Sequence, residues 1–330
     1  MERKSKKSKF YVNTAYFHRV ARIKSASKPI AILHDGNVRI TEPTEIEEHA
    51  LTYFQNIFGG VNNCVDNGLV AKVIPTLVST EENATLISMP LFDEIKNVMF
   101  DMNADGAPGP DGFGGHFFQH FWDIVGVDVV SSVQEFFCTG ILIPNINANI
   151  LVLSPKVPGV ASMGDFRPIA LANFQFKVIT KILADRLTLI GMRIISPQQR
   201  GFVRNRNISD CVIIASEVIN LLTKTQFGGN LAIKVDICKT FDTLDWIFLL
   251  AVLKQFGFNN IFCDWILSIL RSAHLSILVN GKVVGYFSCT RGVRQGDPLS
   301  PLLFCLAEEC LSRYLELERI NNCLQHMSYC

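Results

Sequence analysis

Apolar residues recur at helical spacing along much of this chain, separated by short runs of turn-forming residues. Tyr16, Phe17, Val20 and Ile23 predict a helix over residues 11–25, ended by Lys28-Pro29. Asp35-Gly36 marks a turn. Thr44 with Glu47 predicts a capping box for a helix whose buried stripe is Ile46, Ala50, Tyr53, Phe54 and Ile57 and whose stop is Gly59-Gly60. Residues 61–90 show no strong period and read as a loop-rich connector. Leu91, Ile95, Val98 and Met99 predict a short helix over 91–102, and Ala107 to Gly112 reads as a rigid turn before a helical stretch over 115–139. Ile150-Leu151-Val152-Leu153 predicts a short buried strand leading to Ser154-Pro155-Lys156.

Helices are expected next over 173–190, with Phe174, Val178, Ile182 and Leu189 near one face, and over 209–223. Leu231 to Asp236 reads as a central strand that ends in a carboxylate. Helices over 242–256 and 260–271 come after it. Leu275–Val279 and Val283–Phe287 flank Asn280-Gly281, the strongest hairpin signal in the chain. The last expected helix covers 299–318. The mixture is α/β (mixed α+β), with an antiparallel element.

Composition supports a folded chain: 48% hydrophobic and 18% charged over 330 residues, with mean hydropathy +0.25. No apolar run approaches the roughly 18 residues of a membrane span, and no apolar segment behind the basic N-terminus makes a secretory signal. Ten scattered cysteines without a disulfide rhythm fit an intracellular setting, nucleus or cytoplasm. Net charge is only +1, but residues 1–28 hold nine Lys/Arg against one acid. Residues 1–10 are therefore expected to be a disordered basic arm compatible with phosphate binding. Cys323, His326 and Cys330, with Cys310, match no zinc spacing.

Two segments carry most of the chemistry. Asp236 at a strand end would project a carboxylate from a rigid base, as metal-assisted phosphoryl chemistry requires. In Arg291-Gly292-Val293-Arg294-Gln295-Gly296-Asp297-Pro298-Leu299-Ser300-Pro301, Gly292 and Gly296 allow close backbone approach, and Pro298 and Pro301 suit a first helical turn. Asp242 reads as the cap of the following helix, and Asp297 as part of its loop.

Together, Asp236-Ile237-Cys238-Lys239-Thr240-Phe241-Asp242 and Arg294 to Pro301 resemble the core of a reverse transcriptase of the plant LINE-type (non-LTR) retrotransposon family. Ala107-Pro108-Gly109-Pro110-Asp111-Gly112-Phe113, Phe166-Arg167-Pro168-Ile169 and Ser196 to Arg206 resemble further segments of it. The resemblance implies a right-hand polymerase with fingers and an incomplete palm. It divides the chain into the arm, a helical extension and connector over 11–106, and a reverse transcriptase domain over 107–330.

It also implies roles. Asp236 is the catalytic, metal-binding carboxylate. Phe241 lies under the sugar of the incoming nucleotide, Gln295 and Gly296 contact the nascent base pair and nucleotide, and Ile237 is a further nucleotide-binding residue. Arg167 and Lys156 clamp the triphosphate, while Arg200, Arg204 and Arg206 face template phosphates. Thr240 stands where the family usually has Ala, and Arg204-Asn205 where it has Pro-Gly. Implied partners are Mg²⁺, an RNA template, a DNA primer and deoxynucleoside triphosphates, with no membrane. The family's aromatic-Ala-Asp-Asp turn, its thumb and the LINE endonuclease are not found in these 330 residues, and no Asp follows Asp297. The expectation is a fragment inactive alone. The alternatives are a nucleic-acid binding relic, or an active polymerase completed by downstream sequence.

Overall fold

A mixed four-stranded sheet, flanked by helices, organises the computed structural model, which describes residues 29–62, 64–222 and 232–321. The basic arm, the helix expected over 11–25 and Cys323, His326 and Cys330 lie outside the described residues. A short hairpin, β1 (Leu33–Asp35) and β2 (Val38–Ile40), turns at Asp35-Gly36 as expected and leads into α1 (Pro43–Phe58). That helix starts earlier than the Thr44 cap implied. Pro43 occupies its first turn, Glu42 is the N-cap without a side-chain bond, and no capping box forms. The stripe is buried at Ile46, Ala50, Phe54 and Ile57, and Tyr53 is half-buried.

The connector is more regular than expected. It contains α2 (Leu69–Val73) and α3 (Thr80–Ile87), and α3 carries a capping box: Glu82 N–H donates to Ser79 Oγ at 3.2 Å, and Ser79 N–H to Glu82 Oε2 at 2.8 Å. Leu77 and Val78 N–H both donate to Phe256 O, and Asn83 exchanges bonds with Gly257 and Asn259. Tertiary bonds thus support helices too short for a visible period. Replacing Ser79 by Ala is expected to cost about 1 kcal/mol, read as a lowered urea midpoint at unchanged slope.

Helix α4 (Phe92–Asp101) buries Ile95, Val98 and Met99 but leaves Leu91 exposed as its N-cap residue. The expected 115–139 stretch divides at Phe121 into α5 (Gly115–His120) and α6 (Trp122–Thr139). Strand β3 (Ala148–Pro155) pairs antiparallel with β4 (Phe166–Ala172), and the sheet order is β4-β3-β5-β6. The sequence pattern does not predict β4, because Pro168 argues against a strand. The sheet tolerates it because β4 is an edge. Helix α7 (Phe174–Ile194) is central to the core, with Phe176, Val178, Ile179, Ile182, Leu183 and Leu187 fully buried. Leu189, expected on that face, is exposed.

Helix α8 (Ile208–Leu222) forms where expected, yet Ile208, Val212, Ile213, Ile214 and Ile219 are all exposed. The central strand expected over 231–236 does not form within the described residues. Residues 232–238 are irregular and exposed, and Leu231 lies outside the described set. A strand requires a neighbour to take its N–H and C=O groups, and no strand of the sheet pairs with this segment. The helix expected over 242–256 appears as α9 (Thr240–Thr243) and α10 (Trp246–Phe256). Helix α11 (Asn260–Arg271), the hairpin of β5 (His274–Val279) and β6 (Lys282–Ser288), and α12 (Ser300–Ile320) complete the fold. Asn280-Gly281 makes the turn with φ of 50° and 85°.

Candidate functional site

The Gln-Gly loop between β6 and α12 is tied down on three sides. Toward α1, Thr290 N–H donates to Phe58 O at 2.9 Å and Arg291 Nε to Ile57 O at 2.6 Å. Toward α9, Gly292 N–H donates to Leu244 O at 2.8 Å and Val293 N–H to Phe241 O at 2.6 Å, while Trp246 Nε1 donates to Gly292 O at 2.8 Å. Toward β4, Ala170 N–H donates to Gln295 O at 2.8 Å. Arg294 anchors the loop inside the protein. Its buried guanidinium donates to Asn147 Oδ1, faces Asp297 at 3.5 Å and lies 5.0 Å from the Phe176 ring centroid. Asp297 accepts Leu299 N–H at 2.8 Å at the head of α12, which supports its reading as a loop residue.

This stitching creates a cavity of about 220 Å³ whose walls come from α1, β3–β4, α9 and the Gln-Gly loop. Lys156, Arg167, Phe241 and Gln295 all line it. Lys156 Nζ donates to Gly164 O at 2.8 Å, and Lys156 is exposed. Arg167 is exposed on β4, opposite Ser154, and makes no ion pair or side-chain hydrogen bond among the described residues. The Phe241 ring packs against Phe304 at 4.9 Å and Phe202 at 6.1 Å. Gly296 adjoins at φ 108°, where a side-chain carbon would come within 3.0 Å of Ala170 O.

Tyr53, Lys239 and Asp242, to which the sequence assigns no ligand role, also line the cavity. Asp242 does not cap a helix. Asp245 does that for α10, accepting Ile247 N–H at 2.8 Å and Phe248 N–H at 3.1 Å. Asp242 is instead 4% exposed and accepts Gln295 Nε2–H at 3.1 Å. Burial pushes its carboxyl up to about 6, against the opposing pull of the Gln295 bond and of Lys239 and Lys156. The sequence shows Asp242 within a motif but not its burial, and its partner is 53 residues away.

The other sequence candidates lie elsewhere. Asp236 is exposed in the irregular segment and does not line the cavity. Ile237 lines a separate apolar hollow with Leu244, Phe304 and Leu311. Arg200 pairs with Asp210 at 3.3 Å. Arg204 lines a wider hollow of about 700 Å³ with Lys177, Lys181, Pro298 and Pro301. Arg206 donates to the carbonyls of Met192, Ile195, Ser196 and Gln199. Two of its four bonds thus go to the C-terminal end of α7 and two to the loop beyond it, leaving little of the guanidinium for a phosphate.

A two-metal centre needs clustered oxygen donors holding ions about 4 Å apart. Among the described residues no three His, Cys, Asp or Glu side chains group in a way that could hold a metal. Asp236 stands apart, and Asp242 is engaged with Gln295. The donors among the described residues do not fit such a centre. What the cavity offers instead is unpaired positive charge beside an aromatic ring and a carboxamide, a surface for a phosphorylated, planar ligand.

The family described as reverse transcriptase (RNA-dependent DNA polymerase) matches residues 154–329. The transposon TX1 uncharacterized 149 kDa protein of Xenopus laevis is 28% identical over 309 residues, which cover 90% of this chain and 23% of that protein. The Pol polyprotein from the type-2 retrotransposable element R2DM of Drosophila melanogaster is 28% identical over 218 residues, 66% of this chain and 20% of the relative. Its type-1 R2 counterpart in Nasonia vitripennis is 30% identical over 166 residues, 50% and 16% respectively. The chain thus spans less than a quarter of the length of these relatives. With a family match that covers more than half of its residues, the chain belongs to the reverse transcriptase (RNA-dependent DNA polymerase) family.

Proposed function

We propose that this chain supplies the nucleotide- and template-handling part of an RNA-directed DNA polymerase of the non-LTR, LINE-type retrotransposon kind found in plants, with its reverse transcriptase domain beginning near residue 107. The retroelement names of its relatives support the class. One observation carries the reading: Lys156, Arg167, Phe241 and Gln295, drawn from four separated segments, line one cavity. The two cations neutralise the phosphates of a deoxynucleoside triphosphate, the Phe241 ring lies under its sugar, and Gln295 meets the base pair being formed. Asp236 would be the metal-binding carboxylate of the full enzyme, but it stands outside this cavity and the described donors do not complete a metal site, so no catalytic step is assigned to these residues.

An RNA template runs past Arg200 and Arg204, where its phosphates meet positive charge. The DNA primer is the second nucleic acid partner. No described helix is long and apolar enough to cross a membrane. The scattered cysteines favour a place inside the cell, in nucleus or cytoplasm.

Equilibrium titration with deoxythymidine triphosphate and Mg²⁺ tests the pocket. The parent chain is expected to saturate, and Arg167→Ala to weaken binding by about tenfold, the loss of one charge-assisted contact. Absence of saturable binding by the parent chain would sink the proposal. Primer extension on an RNA template then separates its forms. Binding without synthesis is expected, because the described residues bring no second carboxylate to Asp236. Template-dependent DNA synthesis would assign the whole reaction to these residues. RNA binding that falls steeply with salt, with no nucleotide binding, would favour a binding relic.

A further inference from the structure

Lys239 joins Lys156 and Arg167 on the cavity wall, although its place in the chain gives no sign of a ligand role. It lies between Asp236 and Phe241, and it takes up the left-handed conformation at φ 54°. A residue with a side chain is uncommon there, and the conformation costs about 1 kcal/mol. Two backbone bonds fix the kink. Asp242 N–H donates to Lys239 O at 2.9 Å and Thr243 N–H at 3.0 Å, so Lys239 is the N-cap of α9. The same turn that presents the Phe241 ring to the cavity therefore also presents the Lys239 side chain.

The Lys239 ammonium forms no salt bridge among the described residues, although its charge and that of Asp242 attract each other. It rests over the Tyr53 ring, 4.6 Å from the centroid. Tyr53 comes from α1, far away in sequence, and is itself braced edge-on against Phe54 with ring centroids 5.1 Å apart. Its hydroxyl reaches Gly164, where a side-chain carbon would stand 3.4 Å from it. The carbonyl of that same Gly164 holds Lys156 Nζ. Tyr53 therefore spans the cavity wall between the two lysines. An aromatic face steadies an ammonium without neutralising it, and weakly enough to yield it to an anion. Lys156, Arg167 and Lys239 then leave three cations around a cavity of about 220 Å³, whose lining carboxylate, Asp242, is buried and bound to Gln295.

We propose that Lys239 is a third phosphate-binding cation of this cavity, directed at the phosphate chain of the incoming nucleotide, and that Tyr53 is the residue that positions it. The inference rests on the nucleotide reading above and adds two residues and a preference. Three cations in one small cavity match a triphosphate better than a monophosphate. Losing one should thus reduce the discrimination between them.

The test titrates deoxythymidine triphosphate and deoxythymidine monophosphate, each with Mg²⁺, against the full chain and its variants. Lys239→Gln is expected to weaken the triphosphate about tenfold and the monophosphate by no more than about twofold. Lys239→Arg is expected to restore the triphosphate. Tyr53→Phe keeps the ring and should bind as the parent does, whereas Tyr53→Leu should lose part of the triphosphate preference. Arg167→Ala serves as the reference. If the parent chain binds no triphosphate, the nucleotide reading fails and this inference with it. If Arg167→Ala weakens binding while Lys239→Gln does not, only this inference fails. Equal loss of both ligands in Lys239→Gln also overturns it, because that is the signature of a merely structural residue.

Discussion

Replacing Gly292 with alanine is expected to cost the fold about 4 kcal/mol, the sum of a left-handed backbone penalty and an unrelieved clash. Gly292 sits at φ 84°, and a side-chain carbon there would stand 2.4 Å from Asp242 O, 2.7 Å from Asp242 C and 3.1 Å from Phe241 O. All three are backbone atoms, which cannot rotate aside as a side-chain tip would. Nor can the two chains separate without loss. The Gly292–Leu244, Val293–Phe241 and Trp246–Gly292 hydrogen bonds hold them together at this point. Gly281 is the matched control, because its φ of 85° is nearly the same and nothing lies within 4 Å of its added carbon. Gly281→Ala should therefore show the backbone penalty alone, about 1 kcal/mol. Chemical denaturation of the two variants checks this. Equal destabilisation would mean that the close approach of the two motifs carries none of the effect. The expected inequality would make Gly292 the joint that keeps Phe241 and Gln295 in register.

That joint shows what sequence could and could not disclose. Arg167, Lys156, Phe241 and Gln295 were legible because each sits in a short run of distinctive residues, and the structure places them on one cavity. The hairpin at Asn280-Gly281 was legible because its turn chemistry is local. Tyr53 and Lys239 were not, since their contact joins residues 53 and 239 through tertiary packing alone. The Ser79–Glu82 capping box was present in the sequence but stood before a helix too short to show a period.

Burial was harder to read than element type. Helix α8 forms where its apolar pattern predicts, yet its large apolar residues face outward. Residues 232–236 have the composition of a buried strand and no ladder neighbour among the described strands. Apolar periodicity states which face can be buried, and the presence of a partner decides whether it is. Arg206 shows the same limit for charge. It clusters in sequence with Arg200 and Arg204, but carbonyls at the end of α7 and in the loop after it claim it.

Asp242 gives the second large effect, and its sign is unusual for a carboxylate. Its folded-state pKa of about 6 lies above the unfolded value near 4, because burial penalises the charged form more than Gln295, Lys239 and Lys156 favour it. The folded protein thus holds this proton more tightly than the unfolded chain. The stability linked to it is fully present below about pH 4 and is lost as the pH rises through about 6, a total of roughly 3 kcal/mol. Asp242→Asn removes the titration while keeping an oxygen that can accept the Gln295 N–H. The variant is expected to match the parent near pH 4 and to exceed it in stability by roughly 3 kcal/mol at about pH 7, the full loss linked to the proton. Unfolding free energies measured by denaturant across this range give the difference curve directly. It should rise through the window between the two pKa values and then level off, and a flat difference would remove the proton from the account. A bound triphosphate should steepen the parent's pH dependence, since phosphates beside Asp242 oppose its ionisation further. The Asn variant, having no proton to release, should bind the same ligand with the Asp242 contribution to that dependence gone. The carboxylate that destabilises the fold near neutrality is therefore the one that attracts Lys239 and Lys156 when no phosphate is present, and its protonation would accompany phosphate binding.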